Sequence, residues 1–172
     1  MTRPADQAFR RHELGFLQLD PLPDEASLRA FYGDDYYADL EENPRRGPDL
    51  ERLKSTDGRA EAERAWLEST LYTDVRHYLS ELGLRPGSMV DVGCGTGDFV
   101  ASMTAAGWQA TGTELSGDAV HLGRSRGLQV LRTDLQSFVA DADPVDVVAM
   151  FNVLEHVRDP ISELHAAHAL LQ

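Results

Sequence analysis

The stretch Val90-Asp91-Val92-Gly93-Cys94-Gly95-Thr96-Gly97-Asp98 decides how this chain folds. Met89-Val90-Asp91-Val92 reads as a short buried strand. Three glycines at alternate positions follow, and Phe99, Val100 and Met103 then continue as a helix that stops at Gly107. A strand that enters a helix through a glycine loop is the opening unit of a doubly wound sheet. Such sheets bind ligands outside the carboxyl ends of their strands. Glycine suits that turn because a Cβ would obstruct either the ligand or the left-handed backbone angles.

Working outward, the same alternation continues. Trp108 to Thr113 reads as a second strand and Ser116 as the cap of a second helix, ended by Gly127. Leu128 to Arg132 is a third strand, and Val145 to Phe151, the most apolar run, a fourth. Asp159-Pro160 starts a last helix, a capping carboxylate followed by proline where no N–H is needed. Leu164, His168 and Leu171 are expected to carry its apolar face. Upstream, Leu67, Leu71, Val75, Tyr78 and Leu82 recur at helical spacing, with Gly83 as the stop and Arg85-Pro86-Gly87 as a turn. Strand–helix alternation implies right-handed βαβ units and a parallel sheet covered on both faces. The expected fold is α/β and Rossmann-like, with partial strand order 3-2-1-4. An irregular or helical lead-in over residues 1–58, broken by Pro21, Pro23, Pro44 and Pro48, precedes a domain over 59–172.

The 172 residues hold 29 acids against 16 bases, a formal net charge of −13, which argues against nucleic acid or an anionic membrane as partner. One cysteine, Cys94, excludes an internal disulfide framework. Met1 to Arg11 lacks the apolar core of a secretion signal, and no run approaches the ~18–20 apolar residues of a membrane span. The expected location is the cytoplasm.

Two cofactor classes use a glycine loop of this kind. A dinucleotide site wants G-x-G-x-x-G and rests its pyrophosphate on the helix N-terminus. Here the glycines fall at 93, 95 and 97, and Asp98 stands at the third dinucleotide position. Asp98 and Asp91 would repel a pyrophosphate, whereas a sulfonium and an ammonium meet no such objection. The charges therefore favour S-adenosylmethionine. Glu114, at the end of the second strand, is placed to accept from ribose hydroxyls, and Asp134, after the third, from an adenine amino group.

From Leu82 to Leu171 the chain resembles the class I S-adenosylmethionine-dependent methyltransferases. Val90 to Gly97 is similar to that family's first motif, and Phe151-Asn152-Val153-Leu154-Glu155-His156-Val157-Arg158-Asp159-Pro160 to its segment after the fourth strand. The resemblance implies a cofactor site of Asp91, Gly93, Cys94, Gly95, Gly97, Glu114, Leu115, Asp134, Leu135 and Asn152. Pro21-Leu22-Pro23 with Phe31-Tyr32 and Asp35-Tyr36-Tyr37 is similar to the lead-in of bacterial methyltransferases acting on sugars and other small molecules. It implies that Tyr32 and Tyr37 fold over the cofactor. The family's sheet has seven strands, so a chain ending at Gln172 is expected to be truncated before the last three. That leaves the fourth strand as an exposed edge open to self-association.

Methyl transfer is an in-line displacement that relies on positioning, with a base needed only where the acceptor loses a proton. His156, after the fourth strand, is the candidate base. His165, His168 and Glu163 do not make a convincing metal site, and none is expected. Cys94 reads as a small loop residue rather than a nucleophile. The expected function is methyl transfer to a small-molecule acceptor. The alternatives are a non-catalytic cofactor- or partner-binding module and, less favoured, an NAD(P)-dependent oxidoreductase.

Overall fold

A computed structural model describes residues 8–24, 26–27 and 58–171. The first described element is an antiparallel hairpin of β1 (Ala8–Arg11) and β2 (Leu17–Asp20), with Phe9 opposite Leu19 and Arg11 opposite Leu17. This hairpin lies in the lead-in read as irregular; its four-residue strands are too short for alternation to announce them.

The rest builds the α/β unit. Helices α1 (Arg59–Leu67) and α2 (Thr73–Glu81) are joined by a π-helical turn, Glu68–Tyr72. There follow β3 (Ser88–Val92), α3 (Asp98–Ala105), β4 (Gln109–Glu114), α4 (Gly117–Ser125) and β5 (Val130–Arg132). Next come α5 (Leu135–Val139), β6 (Val147–Met150) and α6 (Pro160–Leu170). The four strands are parallel in the order β5-β4-β3-β6, which is the expected 3-2-1-4, and β6 forms one edge among the described residues.

Alternation along β3 divides the core. Met89 packs with Tyr72, Leu79, Phe99, Val100, Met103, Trp108 and Ala110 on the α2/α3 side. Val90 and Val92 pack with Leu135, Val145, Ala166, Ala167 and Leu170 on the α5/α6 side. Asp91, two residues on from Met89, shares the α2/α3 face.

The starts of α4 and α6 fall where their caps put them. Ser116 Oγ accepts from Ala119 N, and Asp159 Oδ1 from the N–H groups of Ile161 and Ser162. Helices α2, α3 and α4 end alike. Gly83, Gly107 and Gly127 take positive φ, and the residue after each donates back to the turn, as Leu84 N does to Leu79 O.

Three expectations are corrected. In α1–α2 Tyr72 and Leu79 are buried and Leu67 and Val75 half-buried, whereas Leu71, Tyr78 and Leu82 are exposed. The π turn adds one residue between Leu67 and Tyr72 and so rotates the face that faces the sheet. Its extra carbonyl acceptors are taken up locally: Thr70 Oγ1 donates to Trp66 O and Thr73 Oγ1 to Glu68 O. In α6 the buried residues are Ala166, Ala167 and Leu170, while Leu164, His168 and Leu171 face outward. That helix is apolar nearly all round, so tertiary contact rather than pattern selects its inner face. Helix α5 was not foreseen; at five residues it is too short for periodicity to reveal.

Candidate functional site

The site is built at the carboxyl ends of β3, β4 and β5. Strand β3 delivers the chain into Gly93-Cys94-Gly95-Thr96-Gly97, whose three glycines all have positive φ, and Gly97 becomes the N-cap of α3. A Cβ on Gly93 would also come within 2.9 Å of Val153 Cγ2, so the segment after β6 packs directly on the loop. Gly112 of β4 lies opposite Asp91, and a Cβ there would lie 2.4 Å from the sulfur of Cys94. Its missing side chain is what lets Cys94 lie over the sheet. Burial, aided by the charges of Asp91 and Glu114, pushes the Cys94 thiol well up, so it is held as the thiol and not as a nucleophile.

Glu114 knots the loop to the end of β4. One carboxylate oxygen accepts from Gly95 N at 2.9 Å; the other accepts from Leu115 N at 2.7 Å and Ser116 N at 2.8 Å. The expected ribose acceptor therefore already holds the glycine loop in shape. Asp134 caps α5, its Oδ1 accepting from Ser137 N at 2.7 Å. Leu115 is partly exposed beside them, and its carbonyl accepts from Arg132 Nε at 3.1 Å. Leu135, however, turns its side chain into the core, 1 % exposed, so only its backbone faces the strand-end edge.

Asp91 is the unusual group. It is 3 % exposed and has no hydrogen-bond or ion-pair partner among the described residues. Burial, and then the charge of Glu114, pushes its carboxyl up to about 8. A buried carboxyl in this state asks for a donor, preferably a cationic one.

Asp98 behaves differently from its reading in the sequence. Its Oδ1 lies 2.7 Å from Nη2 of Arg126, and Nη1 of the same arginine donates to Thr96 O at 2.9 Å. The charge expected to repel a pyrophosphate is thus paired, and discrimination against a dinucleotide falls instead on the glycine spacing and on Asp91. Arg126 was missed because nothing in its sequence neighbourhood distinguishes it from any other cation at the end of a helix. The chain folds it back by 30 residues onto the loop.

On the far side of the loop, Asn152 follows β6 with φ 53 and is exposed, a conformation asparagine tolerates better than most residues. His156 is exposed in the turn closed by its N–H to Val153 O, at the same end of the sheet. Tyr32 and Tyr37 lie outside the described residues. Tyr72 is a further residue that the sequence did not single out. It is packed against Phe99 at 5.1 Å between ring centres, and Phe99 in turn meets Phe151 edge-on at 4.8 Å.

Comparison with known proteins agrees with this geometry. The family model for a methyltransferase domain matches residues 63–172. A ubiquinone biosynthesis O-methyltransferase of Actinobacillus pleuropneumoniae is 32 % identical over 101 residues, covering 52 % of this chain and 43 % of that protein. The chain thus spans less than half the length of that relative. Two solved structures share the fold. The plantazolicin methyltransferase BpumL, in complex with SAH, has a TM-score of 0.56 at 19 % identity, over 86 % of this chain and 58 % of its own. Magnesium protoporphyrin IX methyltransferase of Synechocystis PCC 6803, with bound SAH, has a TM-score of 0.59 at 16 % identity, over 87 % and 68 %. With a family match over most of its length and a sheet of matching topology, the chain belongs to the methyltransferase-domain family, in its class I, S-adenosylmethionine-dependent form.

Proposed function

We propose that this chain binds S-adenosylmethionine at the carboxyl ends of β3–β5 and serves methyl transfer to a small-molecule acceptor. One observation carries the reading: Asp91, almost wholly buried, has no partner among the described residues at the mouth of a loop with glycine at every other position. An ammonium there supplies both the hydrogen bonds and the positive charge that the carboxyl lacks. The residues fit the rest of the cofactor as well. Gly93, Gly95 and Gly97 keep backbone within reach, with the thiol of Cys94 packed aside. Glu114 retains acceptor capacity toward a ribose beyond the three N–H groups it holds, and Asp134 and Leu115 border the adenine side.

When bound, the cofactor supplies an activated methyl group; the chain contributes orientation and exclusion of water. Asn152 and His156, after β6, border the side from which an acceptor would approach. His156 is the proposed base where the acceptor must lose a proton. The relative is named for an O-methylation, which suits that role. Tyr32 and Tyr37 are proposed to cover the site from the lead-in, residues 1–58, with 59–172 as the binding domain. No helix among the described residues is long and apolar enough to cross a membrane. Pairing of the β6 edge with a second copy belongs to the same reading and would show as a dimer in sedimentation.

Thermal unfolding with and without S-adenosylmethionine, S-adenosylhomocysteine and NADH tests the cofactor. Ligand at 100 times its Kd stabilises the native state by about 2.7 kcal/mol, a rise of several degrees for a chain this size. Both sulfur ligands are expected to raise the midpoint and NADH to leave it in place. A rise with NADH alone would sink the proposal. Turnover against a panel of phenolic, amine and carboxylate acceptors then separates an enzyme from a binding module.

A further inference from the structure

The joint between α1 and α2 places a residue in the cleft that no motif announces. Ordinary helical spacing from Leu67 would send Leu71 inward, but the π turn advances the buried position to Tyr72. Single π turns inside helices recur at functional sites, since the added residue is held in place by packing rather than by helix geometry. Here the packing is specific. The Tyr72 ring is 8 % exposed, stacks at a tilt on Phe99 and belongs to the same core cluster as Met89. The turn is fastened from outside by Arg76, whose guanidinium bonds Ser102 Oγ of α3 and pairs with Glu68 at 2.6 Å.

The hydroxyl of Tyr72 is the anomaly. A buried phenol ordinarily finds a partner for its O–H. This one makes no hydrogen bond among the described residues, and its oxygen is not sealed in the interior. Its surroundings identify what it waits for. Burial, and then the charges of Asp98 and Asp91, push its ionisation far up, so it stays a neutral donor. Asp91 lies on the same face of β3 as Met89 and is equally without a partner. One side of the loop thus holds an unpaired buried acceptor and an unpaired buried donor. An amino acid zwitterion presents the complement of that pair: an ammonium for the carboxyl, and a carboxylate for the neutral phenol to donate to.

We infer that the Tyr72 hydroxyl donates to the α-carboxylate of the cofactor's methionine moiety, while Asp91 accepts from its ammonium. This rests on the S-adenosylmethionine reading above and makes Tyr72 a cofactor-binding residue that selects for the intact amino acid end. The π turn is the device that brings it there.

The test compares two ligands and two proteins by calorimetry and thermal unfolding. S-adenosylmethionine and decarboxylated S-adenosylmethionine, which keeps the sulfonium and the amine but lacks the carboxylate, are titrated into the full chain and into Tyr72→Phe. Because the hydroxyl gives up no internal bond, the ligand-free midpoint of Tyr72→Phe is expected to match or exceed that of the parent. Affinity for S-adenosylmethionine should fall about tenfold, the scale of a hydrogen bond to a charged group. Affinity for the decarboxylated ligand should not change. Equal loss for both ligands, loss for neither, or a lowered ligand-free midpoint each overturns the inference. A parent chain that binds neither ligand would instead overturn the cofactor reading on which it stands.

Discussion

The Gly93–Gly97 loop and the joint at Glu68–Tyr72 flank one cleft but reach it by different physics. The loop is held by backbone angles and polar bonds: positive φ at each glycine, the bond from Gly95 N to Glu114 and the arginine clamp on Thr96 and Asp98. Its shape follows from residue types that admit few other conformations. The joint is held by packing, with Tyr72 and Leu79 pressed onto Phe99 and Met103. A helical turn closed by i→i+5 hydrogen bonds is a poor local arrangement that its tertiary neighbours select. The loop therefore tolerates little chemical change, whereas the joint depends on which side chains meet the sheet.

The sharpest break in that comparison is Asp91→Asn. Removing the charge from a buried pair costs several kcal/mol, so S-adenosylmethionine affinity in calorimetry should drop by more than about a hundredfold. The ligand-free chain should respond in the opposite sense. Asp91 is raised from 3.8 to about 8 in the folded state, so its contribution to stability is whole below 3.8 and is lost as the pH rises through about 8. Asp91→Asn should therefore flatten the decline in the unfolding midpoint between those values and raise it at the alkaline end. In the parent chain, binding an ammonium ionises Asp91, so affinity should tighten by up to about tenfold per pH unit on approaching pH 7, and the variant should lose that dependence.

Next in size, Leu79→Ala should cost about 2–5 kcal/mol in denaturant unfolding, the usual toll of a large-to-small change in a core. The periodic reading of the sequence had assigned Tyr78, and not its neighbour, to that core. Tyr78 is 60 % exposed, so Tyr78→Ala should change stability by no more than about 0.5 kcal/mol. Reversed magnitudes would mean that α2 is rotated by one residue and that the π turn is absent.

Much of the fold is legible in residue order. The caps at Ser116 and Asp159 and the stops at Gly83, Gly107 and Gly127 are local choices that the structure meets, and the strands read from Met89, Trp108, Leu128 and Val145 begin within one or two residues of those positions, at Ser88, Gln109, Val130 and Val147. The order β5-β4-β3-β6 is the 3-2-1-4 order of a doubly wound sheet, which the resemblance to the methyltransferases implies. The faces of α2 and α6 were not legible. In α2, a one-residue insertion shifts the apolar phase without altering composition; in α6, apolar residues surround the axis. The same division runs through the site. Asp91, Glu114 and Asp134 stand at successive strand ends, where their spacing alone placed them. Tyr72 and Arg126 reach the loop across 27 and 30 residues, from Phe99 and Thr96 respectively, and no short-range pattern encodes such a return.

By itself, then, the sequence determined the strand–loop–helix unit and the acids at the sheet's edge, because glycine angles, helix caps and strand alternation act over a few residues. Tertiary structure alone decided the charge state of the site and its unforeseen members. Only packing buries Asp91 with no partner among the described residues, pairs Asp98 with Arg126, turns Leu135 into the core and advances the helix by one residue to bring Tyr72 inward. Burial and ion pairing are properties of neighbours, and neighbours distant in the chain exist only once it has folded.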